Sequence, residues 1–157
     1  MGVFASGYEG NSLILSNMLR SATNLQSIEI DVRLKAKDSE AITTALKDNY
    51  AQKLRSLKLT AISLNDASLN NMSQFCAKQN YLKYLTLITV AGTLNYTNHH
   101  QIVKKSPEEL GKGALSVFFR SLGKCAKKAL EELYLGNFRI GSETATKDLN
   151  KLICEQA

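Results

Sequence analysis

Leu54-Arg55-Ser56-Leu57-Lys58-Leu59 reads L-x-x-L-x-L. The same pattern returns at Leu25-Ile28-Ile30, Leu82-Leu85-Leu87 and Leu130-Leu133-Leu135. Successive starts lie 29, 28 and 48 residues apart. A unit that recurs near every 28 residues predicts a repeat architecture, in which each unit buries its apolar side only by stacking on a neighbour. Within each hexad the alternation of apolar and other residues predicts a short strand.

The second half of each unit reads as a helix. Asp66 is the expected N-cap of a helix carrying Leu69, Met72 and Phe75 at three-residue steps. Ser39 is the expected cap for the helix with Ile42 and Leu46, and Ser142 for the one with Leu149, Leu152 and Ile153. Ser106-Pro107-Glu108-Glu109 reads as a capping box with Pro at the first helical position. Between strand and helix lies a second apolar pair: Ile62 and Leu64 follow Leu59 at +3 and +5, and Phe138 and Ile140 follow Leu135 at the same offsets. In the first full unit the pair is Val32 and Leu34, at +2 and +4.

The chain therefore reads as one domain, 1–157. It comprises a partial repeat at 11–24 lacking its strand, repeats at 25–53, 54–81, 82–129 and 130–157, and an insertion at about 92–105 in the third repeat. The insertion holds Tyr96, Asn98, His99 and His100. With no recognisable capping unit at either end, the domain is expected to be part of a longer array.

Strand then helix at 28–29 residues per unit resembles the leucine-rich repeat, and its length is similar to that of the ribonuclease-inhibitor-like subclass. The chain departs from that family where Asn or Cys is frequent: the positions hold Arg33, Ile62, Val90 and Phe138. The resemblance implies an α/β solenoid, a horseshoe with a parallel sheet on the concave face and helices on the convex face. It also implies binding of another protein, or in a few members activation of a small GTPase.

Composition narrows the function. A 157-residue chain with 44% hydrophobic residues and a single Pro can bury a continuous core. No run of about 18 apolar residues predicts a membrane span, and no signal peptide is evident. Gly2 and Ser6 fit the short myristoylation pattern M-G-x-x-x-[ST]. Cys76, Cys125 and Cys154 form no C-x-x-C and read as reduced, half-buried thiols of a cytoplasmic protein. Nucleotide-binding, serine-hydrolase and zinc-protease motifs are missing. The expectation is a non-enzymatic module with no cofactor and no metal.

Strand residues between the leucines should share the open face. Across repeats they form stripes: Ser27, Ser56, Tyr84 and Glu132; then Glu29, Lys58, Thr86 and Tyr134; then Asp31, Thr60, Ile88 and Gly136. Tyr84, Tyr134 and Ile88 are the anchor types that interfaces enrich. Around them Glu29, Lys58, Thr86, Glu132 and Asp31 complete the expected partner-binding set. A second expectation is electrostatic. Lys104, Lys105, Lys124, Lys127 and Lys128 concentrate much of the net +6 charge in the third repeat. Such a patch suits an acidic protein, an anionic membrane or nucleic acid. A third reading, GTPase activation or effector targeting through the repeats, needs only an exposed Arg such as Arg33 or Arg139.

Overall fold

The computed structural model describes residues 2–6, 12–49, 53–89, 94–96, 102–104, 112–138 and 143–156. In chain order the elements are β1 (Gly2–Ser6), α1 (Ser12–Ser21), β2 (Ser27–Leu34), α2 (Ala36–Asp48), β3 (Ser56–Ile62) and α3 (Asp66–Lys78). Then follow β4 (Tyr84–Thr89), β5 (Leu94–Tyr96), β6 (Ile102–Lys104), α4 (Lys112–Ala126), β7 (Glu132–Gly136) and α5 (Glu143–Gln156). The fold is mixed α/β. Five strands form a parallel sheet in the order β1-β2-β3-β4-β7, while β5 and β6 pair separately as an antiparallel hairpin inside the predicted insertion. Each of the five helices packs against the next.

The hexads stack in register. Ile28, Leu57, Leu85 and Leu133 are successive partners across the sheet, as are Ile30, Leu59, Leu87 and Leu135. The first three of each row are buried, and they meet Ile42 and Leu46 of α2, Leu69 and Met72 of α3, and Phe118 and Phe119 of α4 in one core. Phe119 is fully buried in this core, with its ring 5.8 Å from that of Phe118. A fully buried Leu contributes about 1.5–3 kcal/mol, so these rows are what hold neighbouring units together.

A backbone relay repeats with them. The N–H groups of Arg55 and Ser56 both donate to the Gln26 carbonyl. Those of Lys83 and Tyr84 donate to Arg55, and those of Glu131 and Glu132 to Lys83, all at 2.8–3.1 Å.

The offset of the second apolar pair has a backbone cause. In β2 the buried positions run Ile28, Ile30, Val32 and Leu34 in plain alternation. In β3 they run Leu57, Leu59 and Ile62, because Ala61 takes φ 57° and inserts an extra residue. The β3–β4 register accordingly shifts between Leu59 and Ile62. Asn137, at φ 60°, stands the same distance after Leu135 as Ala61 does after Leu59. Left-handed backbone at one repeat position thus moves the next inward residue from +2 to +3. Asn tolerates this conformation; Ala sits there at a cost. Ile62 is buried, and Phe138 stacks on Phe118 with centroids 6.3 Å apart. Both positions therefore make apolar contacts.

Several expectations are corrected. The unit at 11–24 does not lack a strand: β1 pairs with β2 in register, with Val3 opposite Ile28 and Ala5 opposite Ile30. Helix α2 starts after Lys35, and Ser39 lies inside it, where its hydroxyl accepts the Ser63 N–H at 3.2 Å and ties one unit to the next. Asn65 rather than Asp66 caps α3, accepting the Ser68 N–H at 2.8 Å. The proposed caps Ser106 and Ser142 lie outside the described residues, as do Lys105, Asn98, His99, His100 and Arg139.

Burial thins toward the ends of the helix layer. Leu19 and Leu152 are buried, but Leu13, Ile14 and Met18 of α1 and Ile153 of α5 are exposed. In β7, Leu133 and Leu135 are only partly covered.

Candidate interaction surface

With helices over one face of the sheet, the polar members of each strand line the other. The register brings the expected stripes together: Ser27, Ser56, Tyr84 and Glu132 are successive partners, and so are Glu29, Lys58, Thr86 and Tyr134. In the third stripe Asp31 faces Thr60 and Ile88 faces Gly136, with the Ala61 bulge between the pairs.

The two halves of this face differ chemically. Across β2 and β3, charge is neutralised within the sheet. Lys58 Nζ lies 2.6 Å from Glu29 Oε1, and the hydrogen bond and charge of Glu29 hold the ammonium above its ordinary pKa. The Thr60 hydroxyl donates to Asp31. A partner engaging Glu29, Lys58 or Asp31 must first compete with these contacts.

Across β4 and β7 the face is aromatic. Tyr84 is 40% exposed and Tyr134 59% exposed. The Tyr84 hydroxyl donates to Glu131 Oε2 at 3.2 Å, and the other oxygen of that carboxylate is 2.5 Å from Lys83 Nζ. These contacts, Lys83 first, hold the Glu131 carboxyl below its ordinary pKa. Glu131 therefore fixes where the Tyr84 ring points.

Gly136 makes room for the second ring. A Cβ there would stand 3.1 Å from both Cγ atoms of Ile88 and 3.2 Å from Cε1 of Tyr134. Tyr134 and Ile88 thus close over the glycine and form one apolar patch beside the half-buried Thr86. Glu132 is exposed at the rim of β7. Neither Glu131 nor Gly136 was among the expected site residues. Their signal was the register itself, which sets Glu131 beside Lys83 and Gly136 beside Ile88.

The expected basic patch is only partly described. Lys124, Lys127 and Lys128 are exposed at the end of α4 and in the turn that follows it. Lys104 stands in β6, paired in register with Leu94, where the backbone alone is described.

Little else among the described residues suggests chemistry. Cys76 and Cys125 are buried, Cys154 is exposed, and burial pushes the Cys76 thiol well up and the Cys125 thiol up. Two inward thiols held protonated are poor nucleophiles. No group of three or more His, Cys, Asp or Glu among the described residues could hold a metal ion, and no helix there is long and apolar enough to cross a membrane.

No protein-family model matches the chain, and neither a curated protein nor a solved structure shows significant similarity to it.

Proposed function

We propose that the chain is a leucine-rich-repeat solenoid that captures a protein partner on the open, concave face of its sheet, with the contact centred on β4 and β7. The observation that carries this reading is the pair of exposed tyrosines on adjacent strands. Each is placed by its surroundings, Tyr84 by Glu131 and Tyr134 by the space over Gly136. Ring positions set before binding cost little entropy when a partner docks. Exposed Tyr beside a branched aliphatic such as Ile88 supplies the amphipathic area that concentrates binding energy.

The test is affinity capture from a cell extract at about 0.1 M and about 0.5 M salt, between which the Debye length falls from roughly 10 Å to a few Å. The wild-type chain is expected to retain a discrete protein at both. The Tyr84→Ala/Tyr134→Ala chain is expected to lose it while keeping its circular dichroism. Undiminished capture by the double variant would remove the site from β4 and β7.

A further inference from the structure

Parallel strands that alternate with helices put every helix C-terminus and every strand N-terminus at the same end of the molecule. The basic residues gather there. Arg20, Lys47, Lys78 and Lys124 stand in the last turns of α1, α2, α3 and α4. Favourable interaction with the helix dipole accounts for these four on its own. It does not account for Lys53, Arg55, Lys127 and Lys128, which are exposed in the turns and at the strand starts.

Contacts between units show that the turns adjoin one another. The Asn49 amide donates to the Ala22 carbonyl at 3.2 Å, Lys78 Nζ to the Lys47 carbonyl at 3.3 Å, and Lys128 Nζ to Asn80 Oδ1 at 2.8 Å. Along this end the described acidic residues are Asp48, beside Lys47, Glu131, held by Lys83, the exposed Glu132 at the start of β7, and Glu155 in the last turn of α5. The opposite end is mixed, with Asp38, Glu40 and Asp66 near Arg33, Lys35 and Lys37. The positive charge is therefore a band running from the end of α1 to the turn after α4, where the acidic start of β7 closes it, and the third repeat's patch is one part of it.

Among the described turn residues one aromatic interrupts the band. Tyr81, 57% exposed, sits in the α3–β4 turn between Lys78 and Lys83, against the turn that carries Lys128. A positive track with an exposed ring on which a base can stack is the arrangement that holds single-stranded nucleic acid. A bilayer would favour clustered exposed aliphatic side chains, and at this end Met18 and Ile153 stand apart, in the last turns of the two outermost helices α1 and α5, while the described turns between them expose Tyr81. A duplex would call for an element that enters a groove. Here the band is an edge of turns, where helix carbonyl ends leave phosphate contacts to the Lys and Arg side chains.

We propose that this band is a second binding surface, separate from the open face, that takes a single strand of nucleic acid along its backbone and stacks a base on Tyr81.

The test uses fluorescein-labelled oligouridylate and oligothymidylate, each longer than the roughly 4–16 nucleotides that one single-strand-binding fold spans. Vesicles of phosphatidylserine and phosphatidylcholine, and polyglutamate, serve as competing polyanions. Anisotropy is expected to report binding that weakens by about 0.7 log units per log unit of salt for each phosphate engaged. Lys78→Glu/Lys127→Glu/Lys128→Glu should abolish it. Tyr81→Ala should weaken it at least about fivefold, and Tyr81→Phe should preserve it. Absence of oligonucleotide binding would overturn the proposal. So would equal binding of vesicles or polyglutamate with no effect of Tyr81→Ala.

Discussion

The β2–β3 and β4–β7 halves of the sheet share one register yet present opposite surfaces. In the first, Glu29 meets Lys58 and Asp31 meets Thr60, so the open face satisfies itself. In the second, Tyr84 and Tyr134 stand exposed beside Ile88. The buried side differs at β7 alone: Ile28, Ile30, Leu57, Leu59, Leu85 and Leu87 are fully covered, whereas Leu133 and Leu135 are partly open. The middle strands thus secure the stack, whereas the last strand leaves apolar area uncovered on both of its faces.

The largest expected effect breaks the comparison on its buried side. Leu59→Ala should cost about 2–5 kcal/mol, because a fully enclosed site leaves a cavity. Leu135→Ala, at a half-open site, should cost less than half as much. Urea midpoints of the two variants check this, and equal losses would contradict the gradient in burial.

The next effect concerns how the last helix is held. Asp148 accepts hydrogen bonds from the Ser116 hydroxyl and from Arg120 Nε at 3.1 Å, linking α5 to α4. These contacts, Ser116 foremost, hold its carboxyl below the ordinary aspartate pKa. A folded-state pKa below the unfolded one gives a contribution that is complete above the ordinary aspartate value and is lost as pH falls through the lowered one. Stability should therefore drop from about pH 4 downward. Asp148→Asn should cost about 1 kcal/mol at neutral pH and flatten that acid limb, as read by thermal melts across pH.

Ala61 and Asn137 sharpen the comparison at the backbone. Ala61→Gly relieves left-handed strain and should stabilise by about 0.5–1 kcal/mol, whereas Asn137→Gly should be close to neutral. Asn137 also donates its amide to the Thr89 carbonyl at 3.2 Å and accepts the Thr89 hydroxyl at its own carbonyl at 2.7 Å. Denaturation curves of both variants decide it; a destabilised Ala61→Gly would mean that strain is not what distinguishes the two positions. The smallest effect is on the exposed ion pair: Glu29→Ala/Lys58→Ala should move Tm by no more than about 2 °C.

The mixed α/β class and the parallel sheet were legible because the four hexads set strand registers that the sheet adopts within each hexad. The stripes on the open face follow from the same alternation. The first strand was less legible because Gly2–Ser6 carries Val3 and Ala5 where other units carry Ile or Leu, so its hexad pattern is absent. Helix starts were misplaced where a hydroxyl serves another unit. Ser39 resembles a cap locally, but it is buried and accepts the Ser63 N–H, 24 residues on. The expected site named Tyr84 and Tyr134 without Glu131 and Gly136, because the neighbours concerned lie 47 and 48 residues apart, Tyr84 with Glu131 and Ile88 with Gly136. The basic end was visible only as a third-repeat cluster, since its other members are scattered along the chain until the turns align.

The most direct measurement sets the two halves of the open face against each other: partner capture by Tyr84→Ala/Tyr134→Ala and by Glu29→Ala/Lys58→Ala, side by side at about 0.5 M salt, where surface charge is screened to a few Å. Tyr84→Ala/Tyr134→Ala is expected to abolish capture and Glu29→Ala/Lys58→Ala to retain it; the reverse result would move the contact from β4 and β7 to β2 and β3.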